Sequence, residues 1–267
     1  MKSKRIAFLG GGNMAEAILG GMLAGDLVLA GNVTAADVSA ERRDWLQKEY
    51  GIDATADNAE AVRGADVIVL AVKPQQAADA LGSARAALSA EQLLVSICAG
   101  LTTAALEAQV PCRVARVMPN LPAMVCRGVA AVCAGSRAAP GDMDLVERMF
   151  AATGAVVRLS EGRLNEATAL SGSGPGYVFA FMEALERGAV AMGIPSATAR
   201  TMAVETVRGA AELAAQTRED PAELRRRVSS KGGTTVAGLA AMEAGGFSAA
   251  VEAGMKAARD RAAELAR

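Results

Sequence analysis

The sequence predicts an α/β fold in two parts: a doubly wound parallel sheet over residues 1–160, then an all-helical domain over residues 161–267. Three observations predict it. Short apolar runs alternate with helix-patterned stretches up to about residue 160. The first of these runs breaks on three glycines and leads straight into a helix. Beyond residue 160 the strand pattern stops.

Residues 6–9 (IAFL) suit a buried parallel strand. Gly10, Gly11 and Gly12 follow, then Asn13, Met14 and an Ala-rich stretch with helical spacing. Strand, glycine turn and helix in that order suit a dinucleotide pyrophosphate. Glycine lets the backbone turn and approach the phosphates, and the helix N-terminus offers unpaired N–H groups. Ala15 stands where a third glycine often sits, and its methyl packs helix against strand. Residues 32–36 read as a second strand ending at Asp37. An acid there accepts hydrogen bonds from an adenosine ribose diol, as NAD offers, or else caps the helix predicted over residues 40–50. Arg42 and Arg43, just beyond, offer contacts to a 2′-phosphate instead, so NAD and NADP both stay open.

Residues 66–72, 93–97 and 113–117 read as further buried strands, and residues 129–133 and 155–159 as shorter ones. Pro74 opens the helix after residues 66–72, and Thr102 caps a helix starting at Thr103. The ligand of a doubly wound sheet lies at the carboxyl ends of its strands. Residues 10–15, 71–74, 97–99 and 118–120 all fall there.

Of the 267 residues, 52% are hydrophobic but only 3% aromatic, so a sizeable core must be built from Ala, Val, Leu, Ile and Met. A net charge of −1 leaves no basic excess for a nucleic-acid backbone. No run reaches the ~18 apolar residues of a membrane span. The glycines cut the first apolar run too short for a signal peptide. Cys98, Cys112, Cys126 and Cys133 show neither CxxC nor metal spacing, and read as small buried residues of a reducing cytoplasm. Histidine is absent. That removes the commonest acid–base group and most zinc sites, and no metal site is expected. Chemistry is left to a cofactor, a hydroxyl, a lysine, a carboxylate or backbone dipoles.

In the second half, residues 163–170, 177–192, 196–217 and 247–266 read as helices. Ala, Met and Gly cover more of their surface than one face requires. That favours two subunits interlocking through this half over a thin core closed by one chain. Two glycine-rich stretches interrupt the helices. Residues 171–176 (SGSGPG) read as a connector, or let a helix pass close to another backbone or a ligand. Residues 228–235 (VSSKGGTT) precede a helix over residues 236–244. Their serines, glycines and threonines read as an anion nest of N–H groups and hydroxyls, or as a capping segment. Arg225, Arg226 and Arg227 read as a solvated helix face.

Together LGGGNMAEAI, LAVKPQ, MPNLP, SGSGP and VSSKGGTT, in this order over essentially the whole chain, resemble the pyrroline-5-carboxylate reductase family. The resemblance implies an N-terminal Rossmann-like domain and a C-terminal helical domain that dimerises by interleaving, with dimers often assembling into decamers. It implies reduction of 1-pyrroline-5-carboxylate to L-proline, the last step of proline biosynthesis, by NADPH or NADH. Position by position, it assigns Leu9, Gly10, Gly11, Gly12, Asn13 and Met14 to the pyrophosphate and Asn58 to the adenosine ribose. Ala71, Val72, Lys73 and Pro74 line the cofactor, and Ile97, Cys98 and Ala99 lie on its nicotinamide side. Ser230, Gly233 and Thr234 receive the substrate carboxylate, and Thr235 meets the ring nitrogen as the catalytic residue. Leu121 stands where the family's MPNTP pattern has Thr, and Asp37 where NADP-preferring members often carry small polar or basic residues. A β-hydroxyacid dehydrogenase would share the first domain, but it uses a catalytic lysine on the helical side and Lys231 reads as loop. A non-catalytic nucleotide-binding paralogue is the other alternative. The intact Thr235 and its glycine pair argue against it.

Overall fold

The structure, a computed structural model, describes residues 1–265. The expected end of the last helix, Ala266, lies outside the described residues. The described residues form two compact units: Met1–Ser173 together with residues 258–265, and Gly174–Ala257.

In the first unit, strands β1 (Ile6–Leu9), β2 (Val33–Ala36), β3 (Asp53–Thr55), β4 (Val67–Leu70), β5 (Leu93–Ser96), β6 (Arg113–Met118), β7 (Gly128–Ala134) and β8 (Gly154–Arg158) make one sheet. Among the described residues it has eight strands in the order β3-β2-β1-β4-β5-β6-β7-β8. All neighbours pair in parallel except β6 and β7. The connecting helices are α1 (Asn13–Ala24), α2 (Ala40–Tyr50), α3 (Asn58–Val62), α4 (Ala77–Ala84), α5 (Thr103–Glu107), α6 (Pro140–Ala151) and α7 (Leu164–Ala167).

Side chains along a strand alternate between the two faces of the sheet, and the core is sorted accordingly. Ile6 and Phe8 bury against Ile18, Leu19 and Met22 of α1 and against Met149 and Phe150 of α6. Ala7 and Leu9 bury against Val62 of α3, Leu81 of α4 and Leu106 of α5. Both faces are therefore covered, as near-continuous apolar strands require. Each fully buried Leu, Ile or Phe contributes roughly 1.5–3 kcal/mol, so these layers hold the strand ends rigidly. Ala15 lies in the same buried layer as Ile6 and Phe8, where its methyl was expected.

The differences from expectation are local. β4 stops at Leu70, short of Val72, because the chain turns there to enter a tight turn at Pro74–Gln76 before α4. β3 and α3 were not anticipated; DAT and NAEAV are too short to show a period. The cap of α2 is Ser39, whose hydroxyl accepts from the Arg42 N–H, and not Asp37. Cys98, Cys112 and Cys133 are buried, but Cys126 is exposed, in a left-handed conformation closing the turn Leu121–Val125. SGSGPG is not a connector: Ser171 and Gly172 end a wide helical turn (Thr168–Gly172), and Gly174 starts the next helix.

The second unit holds α8 (Gly174–Ala191), α9 (Ser196–Thr217), α10 (Pro221–Arg227), α11 (Thr234–Ala244) and the start of α12 (Phe247–Leu265). Arg225, Arg226 and Arg227 lie exposed on α10, as the sequence suggested. Among the described residues of this unit only Ala199 and Ala203 are buried apolar side chains. Phe179, Met192 and Met202 are 54%, 79% and 53% exposed. Among the described residues, no helix is long and apolar enough to cross a membrane.

Candidate active site

β1 is hydrogen-bonded to β2 on one side and β4 on the other, so the strand order reverses at β1 and opens a crevice beyond the strand ends. Gly10 sits at that point with φ +95°, a left-handed value that favours glycine. A Cβ there would stand 2.9 Å from the Ala71 carbonyl carbon and oxygen. The Gly10 N–H donates to the Ala36 carbonyl and the Ala71 N–H to the Leu9 carbonyl, both at 2.8 Å. The turn is therefore pinned to both neighbouring strands.

Gly12 is the N-cap of α1 and supplies no side-chain hydrogen bond to its first turn. A Cβ on Gly12 would meet nothing within 4 Å, and Gly12 and Asn13 are both exposed. By contrast α2, α3 and α5 are capped by Ser39, Asp57 and Thr102. The first N–H groups of α1 are left for an anion, whose charge the helix dipole favours. A cavity of about 570 Å³ opens beside this turn, lined among others by Gly10, Gly12, Asp37, Asn58, Val72 and Lys73. Bare N–H donors, a glycine cradle and flanking polar groups fit a dinucleotide.

The turn is braced from behind by residues whose structural part the sequence did not reveal. Asp37 accepts from the Gly11 N–H at 2.8 Å and from the Ser39 N–H at 2.9 Å. Arg42 donates to the Gly11 carbonyl and to Glu16 of α1, and its guanidinium stacks 4.6 Å above the Trp45 ring. Tyr50 donates to Glu16 at 3.2 Å; burial first, then Glu16, push its phenol pKa up. Arg43 donates to the carbonyls of Asp37 and Val38. Nothing in the pattern AERRD distinguishes a brace from a surface arginine. Only the register of α2 does.

The other predicted cofactor residues cluster at the same sheet edge. Lys73 and Pro74 are exposed and Ala71 and Val72 half-buried. Ile97 and Ala99 are half-buried after β5, while Cys98 is buried with its thiol against the Val72 carbonyl at 3.2 Å. Burial pushes that thiol up to about 11, so Cys98 packs as a neutral side chain. Asn58 opens α3 and its amide donates to the Ser83 hydroxyl at 2.9 Å. After β6, Asn120 ties two segments together: its amide donates to the Ser171 carbonyl at 2.9 Å, and its oxygen accepts from the Val129 N–H at 2.8 Å. Leu121 begins the next turn and is 50% exposed.

In the second unit, Gly233 is the N-cap of α11, again without a side-chain cap, and Thr234 and Thr235 form its first turn. The Gly233 N–H donates to the Ser230 carbonyl at 2.9 Å, closing a turn in which Gly232 has φ +72°. A Cβ on Gly233 would stand 2.5 Å from the Ser230 hydroxyl oxygen. Ser230, Thr234 and Thr235 are exposed. Hydroxyls and free N–H groups at a helix N-terminus suit a carboxylate.

Comparison with known proteins decides the family. The family model described as pyrroline-5-carboxylate reductase dimerisation matches residues 161–265, and the one described as NADP oxidoreductase coenzyme F420-dependent matches residues 5–100. A pyrroline-5-carboxylate reductase of Pseudomonas aeruginosa is 41% identical, covering 100% of this chain and 98% of the relative. The chain belongs to the pyrroline-5-carboxylate reductase family. Another reductase of this name, from Synechocystis, is 38% identical over 98% of both chains. The solved pyrroline-5-carboxylate reductase of Coxiella burnetii matches with a TM-score of 0.94 at 34% identity over 100% of both chains. The Plasmodium falciparum enzyme, solved with NADP bound, matches with a TM-score of 0.89 at 28% identity, again over 100% of both. The doubly wound sheet and the helical second half expected from the sequence are thus those of pyrroline-5-carboxylate reductases.

Proposed function

We propose that this chain reduces 1-pyrroline-5-carboxylate to L-proline with NADH or NADPH, the closing step of proline biosynthesis. One observation carries the reading: a chain related end to end to these reductases has two glycine turns, each leading into a helix whose N-terminus no side chain caps. Residues 1–160 serve the nucleotide, and residues 161–267 serve the substrate and self-association.

The substrate is a cyclic imine bearing a carboxylate. A bound reduced nicotinamide supplies the hydride for its C5 carbon. The pyrophosphate lies against the turn from Leu9 to Met14. Gly12, Asn13 and Met14 offer it N–H groups, while Leu9, Gly10 and Gly11 shape the turn, the Gly10 and Gly11 N–H groups being held by Ala36 and Asp37. Asn58 faces the adenosine ribose. Residues 71–74 and 97–99 line the rest of the nucleotide. The N–H groups and hydroxyls of Ser230, Gly233 and Thr234 hold the substrate carboxylate. Charge-assisted bonds of this kind contribute roughly 1.5–3 kcal/mol each. The Thr235 hydroxyl pairs with the ring nitrogen, accepting from the N–H of an iminium or donating to the lone pair of a neutral imine, and fixes the face that C5 presents. A threonine hydroxyl is a poor acid, so Thr235 orients rather than protonates. The proton comes with the iminium form of the substrate or from water. Fixing both rings in this way removes much of the entropic barrier, and no step requires the missing histidine.

Self-association follows from the dimerisation model and from the exposed apolar side chains of the second unit. We assign a dimer interleaved through residues 161–267, assembling further into a decamer, in the cytoplasm. Sedimentation of the purified chain distinguishes monomer, dimer and decamer. The activity is tested by following NADH and NADPH oxidation on adding pyrroline-5-carboxylate, with L-proline measured as product. Ketopantoate and hydroxyacids serve as controls. Nucleotide binding without turnover of any of these would leave a binding protein and overturn the reading.

A further inference from the structure

We propose that the nucleotide cavity is built for a 2′-hydroxyl and against a 2′-phosphate, so that this chain prefers NADH to NADPH, with Asp37 as the discriminating residue. The inference rests on the cofactor reading above and deepens it.

Asp37 directly follows β2 and forms part of the wall of the cavity beside the glycine turn. The two N–H bonds from Gly11 and Ser39 use one oxygen each, at 2.8 and 2.9 Å. They stop the side chain from swinging aside to admit an anion. Each carboxylate oxygen keeps a further acceptor site, and a ribose diol offers two O–H donors for them. A 2′-phosphate brings acceptor oxygens and negative charge to a fixed negative group, with no donor to match it.

The two arginines that could reverse this are anchored to other partners and stand outside the cavity wall. Arg42 is held by the Gly11 carbonyl, by Glu16 and by the face of Trp45. Arg43 is held by the carbonyls of Asp37 and Val38 at 2.8 and 3.1 Å. Neither lines the cavity. Of the described residues that do, Lys73 is the one cation, and Asp79 adds a second carboxylate. Lys73 follows β4, which is separated from β2 by β1, and two strand spacings put its backbone roughly 10 Å from Asp37. Among the described residues, the Asp37 carboxylate is bonded by the Gly11 and Ser39 N–H groups and forms no ion pair with Lys73.

Calorimetric titration of the apo-protein with NADH and with NADPH, without imine, tests this directly. The expected result is a Kd for NADH at least about 10-fold below that for NADPH. Equal affinities, or tighter NADPH, overturn the proposal. Asp37→Asn removes the charge and keeps an acceptor for the backbone, and Asp37→Ser is the second variant should the first not fold. Either is expected to narrow the ratio by tightening NADPH and weakening NADH. A ratio unchanged in a folded variant overturns the role of Asp37. Arg43→Ala is expected to shift both affinities less than about twofold. A loss confined to NADPH would show Arg43 gripping the phosphate and overturn the proposal. Failure of the underlying reading looks different, because then neither nucleotide binds.

Discussion

The turn after β1 and the turn before α11 use the same materials, glycines followed by a helix whose N-terminus no side chain caps. Their surroundings differ. Gly10 is buried against Ala71 and Val72, just past β4, and Gly11 against Leu46 and Asp37. The turn Ser230–Thr235 is largely exposed, on helices of a unit whose buried apolar side chains, among the described residues, are Ala199 and Ala203. The first turn is finished within one chain. The second stands on a unit that leaves Phe179, Met192 and Met202 exposed, so self-association is expected to steady it. Nucleotide binding should survive in a monomer, and imine reduction should not.

Changes that break the first turn should have the largest effect. In Gly10→Ala the Cβ meets backbone at 2.9 Å in a left-handed conformation, which costs about 3 kcal/mol or more in stability and should abolish measurable nucleotide binding, read by thermal melts and calorimetry. Phe179→Glu puts a charge on an exposed apolar helix surface of the second unit and should weaken self-association by more than about 10-fold in sedimentation, while nucleotide affinity holds. Were nucleotide affinity to fall in parallel, the contrast between the two turns would fail. Arg42→Ala frees the Gly11 carbonyl and Glu16 and should weaken NADH and NADPH alike, by roughly 5- to 20-fold.

The smallest effect belongs to Asp66, which precedes β4, at the opposite end of that strand from the glycine turn. Burial alone would raise its pKa, but the Lys4 ammonium and the Arg5 N–H, each donating at 2.8 Å, hold it below the ordinary 3.8. Its contribution is full above that ordinary value and is lost as pH falls through the lower folded one. The carboxylate is 37% exposed, so solvent screening limits the gain. Asp66→Asn should cost about 1 kcal/mol or less at neutral pH in denaturant melts, and the difference should vanish in acid.

Much of the fold was legible because its signals are local. Continuous apolar runs mark buried parallel strands, and the glycines interrupt the first run at a switch point. The predicted bounds of α2 and α9 match those observed. β3 escaped because three residues carry no period. The wide turn Thr168–Gly172 escaped because Ser and Gly read as loop, whereas Asn120 secures its Ser171 carbonyl from another part of the chain. The nucleotide site was legible in its glycines and not in its braces. Asp37 and Arg42 act through backbone groups that lie 26 and 31 residues away along the chain. The substrate turn was legible as chemistry, hydroxyls ahead of a helix, while its assignment to an imine carboxylate came from resemblance to a family.

The most direct test of two separable turns is Thr235→Ala, studied by both calorimetry and turnover. Losing one hydrogen bond to the reacting ring should lower kcat/KM for pyrroline-5-carboxylate by roughly 10- to 100-fold and leave the Kd for NADH within about twofold of wild type. Wild-type turnover in this variant, or an equal loss of nucleotide affinity, would contradict the account.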